Sequence, residues 1–305
     1  TMGGGMHLKN SQPIVRHSRF ISNSGGNDET GNNVRGGGAY LQEESHATLL
    51  NVSFIGNSLV GSGKGAGLNV DENSNVTANG IVLADNTAFF AAGLFVGQGC
   101  HGTFDNVLAT GNEASYGAAI GVFIGGRPTF TTGRVAKNTA SLWGAGAIVY
   151  TGAHAYFNQF SFEENEAEIG AGIFMYSQSS AVVDNSRVLS NKASKFGAGL
   201  RLDDRSSLSV SNTRISHNVA TLGGGGGHVT TGAELTSSGG VSFVNNTAAD
   251  GAGLLCDGGD HGGGNVIMSD VVFTENKAHG LGGAMHLTGA CGVQIGGSSA
   301  FNQNQ

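Results

Sequence analysis

An apolar residue followed three positions later by asparagine returns eleven times along this chain. The pairs are Phe20 and Asn23, Phe54 and Asn57, Leu83 and Asn86, Ala109 and Asn112, Val135 and Asn138, Phe162 and Asn165, Val188 and Asn191, Ile215 and Asn218, Phe243 and Asn246, Phe273 and Asn276, and Phe301 and Asn304. Successive copies lie 34, 29, 26, 26, 27, 26, 27, 28, 30 and 28 residues apart, so the period is near 27. A fixed period of this size marks a repeat architecture, because no single repeat can bury its own apolar side and each must stack on its neighbours. The longest spacing holds "GGNDETGNNVRGGG", whose glycine and asparagine content reads as an exposed loop.

Each copy carries a second signature after the asparagine: a glycine-rich triplet and an alternating apolar tripeptide, as in "GAGLNV", "AAGLFV", "GAAIGV", "GAGIFM" and "GAGLRL". Alternation over three positions is the mark of a short strand with one buried face. It predicts that Leu68/Val70, Leu94/Val96, Ile120/Val122, Ala147/Val149, Ile173/Met175, Leu200/Leu202, Leu254/Cys256 and Met285/Leu287 point inward. No copy has the ten or more residues of 3.6-residue pattern that a helix needs. The chain therefore reads as all-β: one parallel β-helix over residues 1–305, a single-chain solenoid of about eleven coils. Strand spacing of about 4.8 Å gives a rod about 50 Å long. The asparagines form an inner ladder in which each side-chain amide bonds the next coil. The glycines serve turns that need positive φ or close backbone approach.

Composition agrees. Glycine supplies 54 of 305 residues and charged residues only 12%, against about 7% and 25% in ordinary globular proteins. The formal charge of −7 is spread without a basic run, which excludes the electrostatic footprint of a nucleic-acid binder. The longest apolar stretches fall far below the ~20 residues that cross a bilayer, so no membrane insertion by this segment is expected. No charged-then-apolar signal stands among the first residues, so any targeting peptide is expected to have been removed or to lie outside this segment.

The paired motifs resemble the FxxN and GGA[I/L/M] repeats of the chlamydial polymorphic outer membrane proteins. Here they stand as "FISN", "FIGN", "FEEN", "FVNN", "FTEN" and "FNQN", with "GGAM" at 282–285 and "GAGL" or "GAGI" elsewhere. Five copies replace the phenylalanine by Leu, Ala, Val or Ile. The resemblance covers essentially the whole chain. It implies a right-handed parallel β-helix displayed outside the cell or on its surface, as an adhesin or structural stalk without catalytic activity. The chain opens and closes inside repeat signatures, from which an excerpt of a longer solenoid, or ends that meet neighbours in a filament, is expected.

Candidate chemistry is sparse. Asp203-Asp204-Arg205 follows an inward strand and has the makings of an acid–base pair or a Ca²⁺ site, but the adjacent coils supply no second acidic shell, and a charged turn is expected. Asp257, Asp260 and His261 form a loose metal-like set without a second His or Cys at ligand spacing, so a solvated loop is expected there. No catalytic residue, cofactor or metal site is assigned. Cys100 and Cys291 share a column but lie seven coils apart, too far for a disulfide; Cys256 takes an inward position and reads as a buried thiol.

Two columns of large side chains remain. The residues before the glycines, Phe90, Tyr116, Trp143, Ile169, Phe196, Leu222 and Leu281, are expected to line the core at a corner. The strand-middle residues Tyr40, Phe95, Ile148, Phe174 and Leu255 are expected to point outward as an apolar interaction stripe. Sequons occur at Asn51, Asn75 and Asn245; Asn51 is read as an inner turn residue, in a column with Asn106, Asn185, Asn212 and Asp270, leaving Asn75 and Asn245 as glycan acceptors. The expected function is a non-enzymatic extracellular or cell-surface structural module, a filament component or adhesin, whose partners are neighbouring protein chains, copies of itself or surface glycans. The alternative is a carbohydrate-active or glycan-binding β-helix.

Overall fold

The computed structural model describes residues 4–25, 34–258 and 262–305. Every strand pairing in it is parallel and joins residues about one period apart, as in Leu94↔Ile120, Ile148↔Phe174 and Phe243↔Phe273. No helix occurs among the described residues. The first face of the coil is an eleven-stranded sheet running from Met6–Lys9 through Ile120–Phe123, Ala147–Tyr150 and Ile173–Tyr176 to Met285–Gly289. The second and third faces join as one bent sheet; in the early coils they form single strands of ten residues, such as Asn75–Ala84. A seven-stranded sheet, from Glu113–Tyr116 to Lys277–Ala278, returns the chain to the first face.

The bend in the wide sheet has a local cause. Along His46–Ile55 the buried residues are Ala47 and Leu49, then Val52 and Phe54, so the two-residue alternation slips by one at Asn51. Asn51 has φ +53°, and Asn106, Asn185, Asn212 and Asp270 repeat that left-handed conformation in their coils. Asn and Asp tolerate this region better than most residues. The expectation of inner turn residues is thus corrected: these five side chains are exposed, because the left-handed corner turns them away from the core.

The core runs the length of the rod. The expected inward residues of the first sheet belong to it, with Met285 packed against its margin; Leu287, on the last strand of that sheet, is instead 47% exposed. Inside, Phe104, Phe130 and Phe157 stack ring on ring at 5.0 and 4.9 Å.

The asparagine ladder is present in every coil. Its interior members, Asn57, Asn86, Asn112, Asn138, Asn165, Asn191, Asn218, Asn246 and Asn276, are fully buried, while Asn23 and Asn304 at the two ends are half-buried. From Asn23 to Asn276, the backbone N–H and the side-chain amide of each both donate to Oδ1 of the asparagine one coil on. Asn86 reaches Asn112 in this way at 3.1 and 2.9 Å, Asn191 reaches Asn218 at 3.0 and 2.9 Å, and Asn218 reaches Asn246 at 3.0 Å in both bonds. In the interior coils the amide also donates backward, from Asn112 to the carbonyl of Leu83 at 2.8 Å and from Asn218 to that of Val188 at 3.0 Å. Burying so many amides is tolerated because their polar atoms are partnered.

The cysteines correct the sequence reading. Cys256 is not a thiol: it pairs with Cys291 in the next coil, at a Cα separation of 6.0 Å. Cys100 is buried, and burial pushes its thiol pKa up to about 12, which leaves it inert.

Candidate functional site

The expected interaction stripe is not on the surface. Tyr40, Phe95, Ile148, Phe174 and Leu255 do point out of the main core, yet all five are buried. Phe95, Ile148 and Phe174 are the floor of a second, smaller apolar cluster outside the first sheet. The pre-glycine column, expected in the core corner, folds over that floor: Phe90, Tyr116, Trp143 and Ile169 are half-buried against it. Leu222 and Leu281, farther along, are 45% and 61% exposed. The strand-middle column is thus the covered one and the pre-glycine column its cover, both outside the main core.

The glycine corner makes this overlap possible. Gly117 and Gly170 both have φ +65°. A methyl group on Gly170 would stand 2.7 Å from Cβ of Phe174, and one on Gly117 would run into the Ile148 side chain. Glycine is required here by conformation and by a floor residue together: Phe174 of its own coil for Gly170, and Ile148 of the next coil for Gly117.

A cleft of about 540 Å³ opens between two aromatic ridges over these coils. One ridge stacks Phe90 on Tyr116 at 5.2 Å and sets Tyr116 edge-on to Trp143 at 5.1 Å. The other runs from Phe123 to Tyr150 at 5.8 Å and on to Tyr176 at 5.4 Å. The floor is interrupted at Gly121, which pairs with Phe95 and Ile148 on either side but carries no side chain. At one end, the ammonium of Lys64 lies 5.5 and 6.0 Å from the ring centres of Phe95 and Phe90. Burial pushes its pKa down, Arg35 adds to this and Asp71 opposes it. Asp71 and Glu72 are themselves engaged by Arg35, at 2.8 and 3.2 Å.

Beyond the other end of the cleft, Tyr176, Asp203, Asp204, Arg205 and Thr231 line a second concavity of about 560 Å³. Asp203 accepts from Arg201 at 2.8 Å and Asp204 from Arg205 at 3.3 Å. Arg201 also donates to Nδ1 of His228. Because arginine only donates, this bond requires Nδ1 to accept. Burial, then the Arg201 charge, holds the His228 pKa well below its usual value. Arg201 and His228 sit at strand-middle positions in adjacent coils, and neither is among the residues singled out from the sequence. Of the loose set Asp257, Asp260 and His261, the first accepts from Thr288 at 3.4 Å, while Asp260 and His261 lie outside the described residues. No cluster of three metal-binding side chains occurs among the described residues.

Asn75 is engaged on both sides of its amide: Oδ1 accepts from the His101 N–H at 2.9 Å and Nδ2 lies 3.2 Å from His46 Nδ1. Asn245 is half-buried at a left-handed corner, directly before the ladder residue Asn246.

A family model described as a right-handed beta helix region matches residues 92–261, more than half of the chain. The chain belongs to the right-handed β-helix family. The matched stretch contains the cleft ridges from Tyr116 to Tyr176, the Arg201–His228 pair and the ladder asparagines Asn112, Asn138, Asn165, Asn191, Asn218 and Asn246. No curated protein and no solved structure matches the chain. Since β-helices serve both as enzymes and as non-catalytic scaffolds, family membership fixes the architecture and leaves the role to the surface.

Proposed function

We propose that this β-helix is a non-enzymatic, extracellular or cell-surface structural module that makes its contacts through the outer side of the first sheet. The observation that carries this reading is the aromatic cleft: Phe89, Tyr116, Trp143 and Tyr150 gather their exposed ring surface into one concavity. A rigid coil stack supplies length, and the cleft supplies a recognition surface. The Cys256–Cys291 disulfide supports an oxidising compartment. The resemblance of the FxxN and GGA[I/L/M] motifs to the chlamydial repeats supports display at a surface.

A second reading, a carbohydrate-active β-helix, draws on the depression at Asp203 and Asp204. Both carboxylates there are held by arginines of their own coil, which favours a structural charge network over an acid–base pair. Electron microscopy of the native material, at a resolution that shows single coils, tests the two. Contacts made through the face around Trp143 support the proposed module. Separate rods with sugar density over Asp203 and Asp204 replace it with the second reading.

A further inference from the structure

Lys64 Nζ, the hydroxyls of Tyr116 and Tyr150, and the indole N–H of Trp143 have no hydrogen-bond or ion-pair partner among the described residues. Among the described residues Lys64 is the one cationic side chain lining the cleft, and Arg35 holds the nearby Asp71 and Glu72. Its ammonium already occupies the ring faces of Phe90 and Phe95, so a second cation in the cleft would meet repulsion. An anion would meet an unpaired, partly desolvated charge. The chain's net charge of −7 is spread along the rod and screened beyond about 10 Å; close by, Arg35, Asp71 and Glu72 pair among themselves, and the Lys64 ammonium is the charged group on the lining itself.

The walls decide the rest. They are ring carbon for most of their surface, so a hydroxyl-covered ligand would lose water contacts that so few polar tips cannot replace. An alkyl or aryl body loses nothing there. The volume falls within the roughly 300–1,000 Å³ of small-molecule sites.

We propose that this cleft binds an amphipathic organic acid, with its apolar body between the ridges of Tyr116, Trp143 and Tyr150 and its carboxylate on the Lys64 ammonium. This rests on reading the first-sheet face as the contact face and adds the chemistry of what it takes.

Trp143 is the sole tryptophan of the chain, so its emission reports from this cleft alone. The whole chain is titrated with dodecanoate, dodecanol and cellohexaose, each below its aggregation or solubility limit, while Trp143 fluorescence is followed. Dodecanoate is expected to give a saturable change. Lys64→Gln is expected to weaken it about tenfold, Lys64→Arg to restore it, and dodecanol to bind more weakly with no response to either substitution. Equal binding of dodecanol and dodecanoate, untouched by Lys64→Gln, overturns the acid and keeps an apolar ligand. A response to cellohexaose alone overturns the apolar body. Silence with all three overturns the ligand class, while contacts through the Trp143 face in micrographs would still uphold the contact face.

Discussion

The side-chain amide of Asn138 donates at 2.9 Å to the side-chain carbonyl of Asn165, 27 residues later and one coil on. Asn165 Oδ1 accepts from the Asn138 backbone N–H as well, at 3.1 Å. Replacing Asn165 by alanine therefore strands two donors in a fully buried site. A loss of about 3 kcal/mol is expected, measured by urea denaturation followed by circular dichroism. A change under about 0.5 kcal/mol would mean that the ladder is ornament to the fold.

Two glycines separate crowding from backbone conformation. At Gly146 a methyl group would clash with the carbonyl oxygen of Gly172 in the next coil, whereas Gly152, at φ +66°, has open space around it. Gly152→Ala is expected to cost about 1 kcal/mol, the penalty of a left-handed alanine. Gly146→Ala is expected to cost about 3 kcal/mol, through displaced backbone. Thermal melts of the two variants check the order; the reverse order would contradict the close stacking of the glycine corner.

His228 gives the stability a pH dependence. In the unfolded chain its ring takes up a proton near pH 6.5, while in the fold burial and Arg201 delay this to a much lower pH. Below about pH 6.5 the unfolded state thus binds more protons, so stability from this group is whole above that pH and falls as the pH drops. The slope is about 1.4 kcal/mol per pH unit. Denaturation at pH 7 and pH 5.5 is expected to show the loss, and His228→Leu to reduce it to the part contributed by His154, whose pKa is also lowered by burial.

The disulfide should act locally. Cys256 and Cys291 are 35 residues apart, and freeing a loop of that length costs about 4 kcal/mol in chain entropy. In a solenoid each coil touches only its neighbours. Hydrogen exchange of Cys291→Ser is expected to quicken in Met285–Gly289 and stay unchanged in Ile173–Tyr176. Uniform quickening would mean that the whole rod unfolds as one unit.

Much of this molecule was readable because one coil repeats: Asn23 to Asn304 give the register, and pairs such as Leu94/Val96 give the buried face. The ladder held even at Asn86, Asn191 and Asn218, where Leu83, Val188 and Ile215 stand in place of the phenylalanine, because the amide bonds the next coil whatever apolar residue precedes it. What failed was the assumption that a strand's second face meets solvent. Phe95, Ile148 and Phe174 alternate as an outward column should, but the same coils carry Phe90, Tyr116 and Trp143 before the glycines. Two bulky apolar columns on the same coils were a readable sign that one covers the other. The Cys256–Cys291 pair escaped for a different reason. Comparing positions within a column finds partners directly above one another, whereas this bond joins a strand in one coil to a loop in the next. Arg201 and His228 escaped because strand-middle positions were sorted by hydrophobicity, which passes over the few polar members.

The hydrogen bonds between neighbouring strands all run along the rod. Force applied across a whole face would load a full row of them together, but force applied at a chain terminus reaches the outermost coil first and detaches it before the next. Each detached coil of about 27 residues releases roughly 90 Å of extended chain. Stretched by its termini, such a rod should yield as a succession of small, nearly equal steps, apart from the coil that the Cys256–Cys291 bond keeps closed, a tether that lengthens under load coil by coil instead of breaking at once.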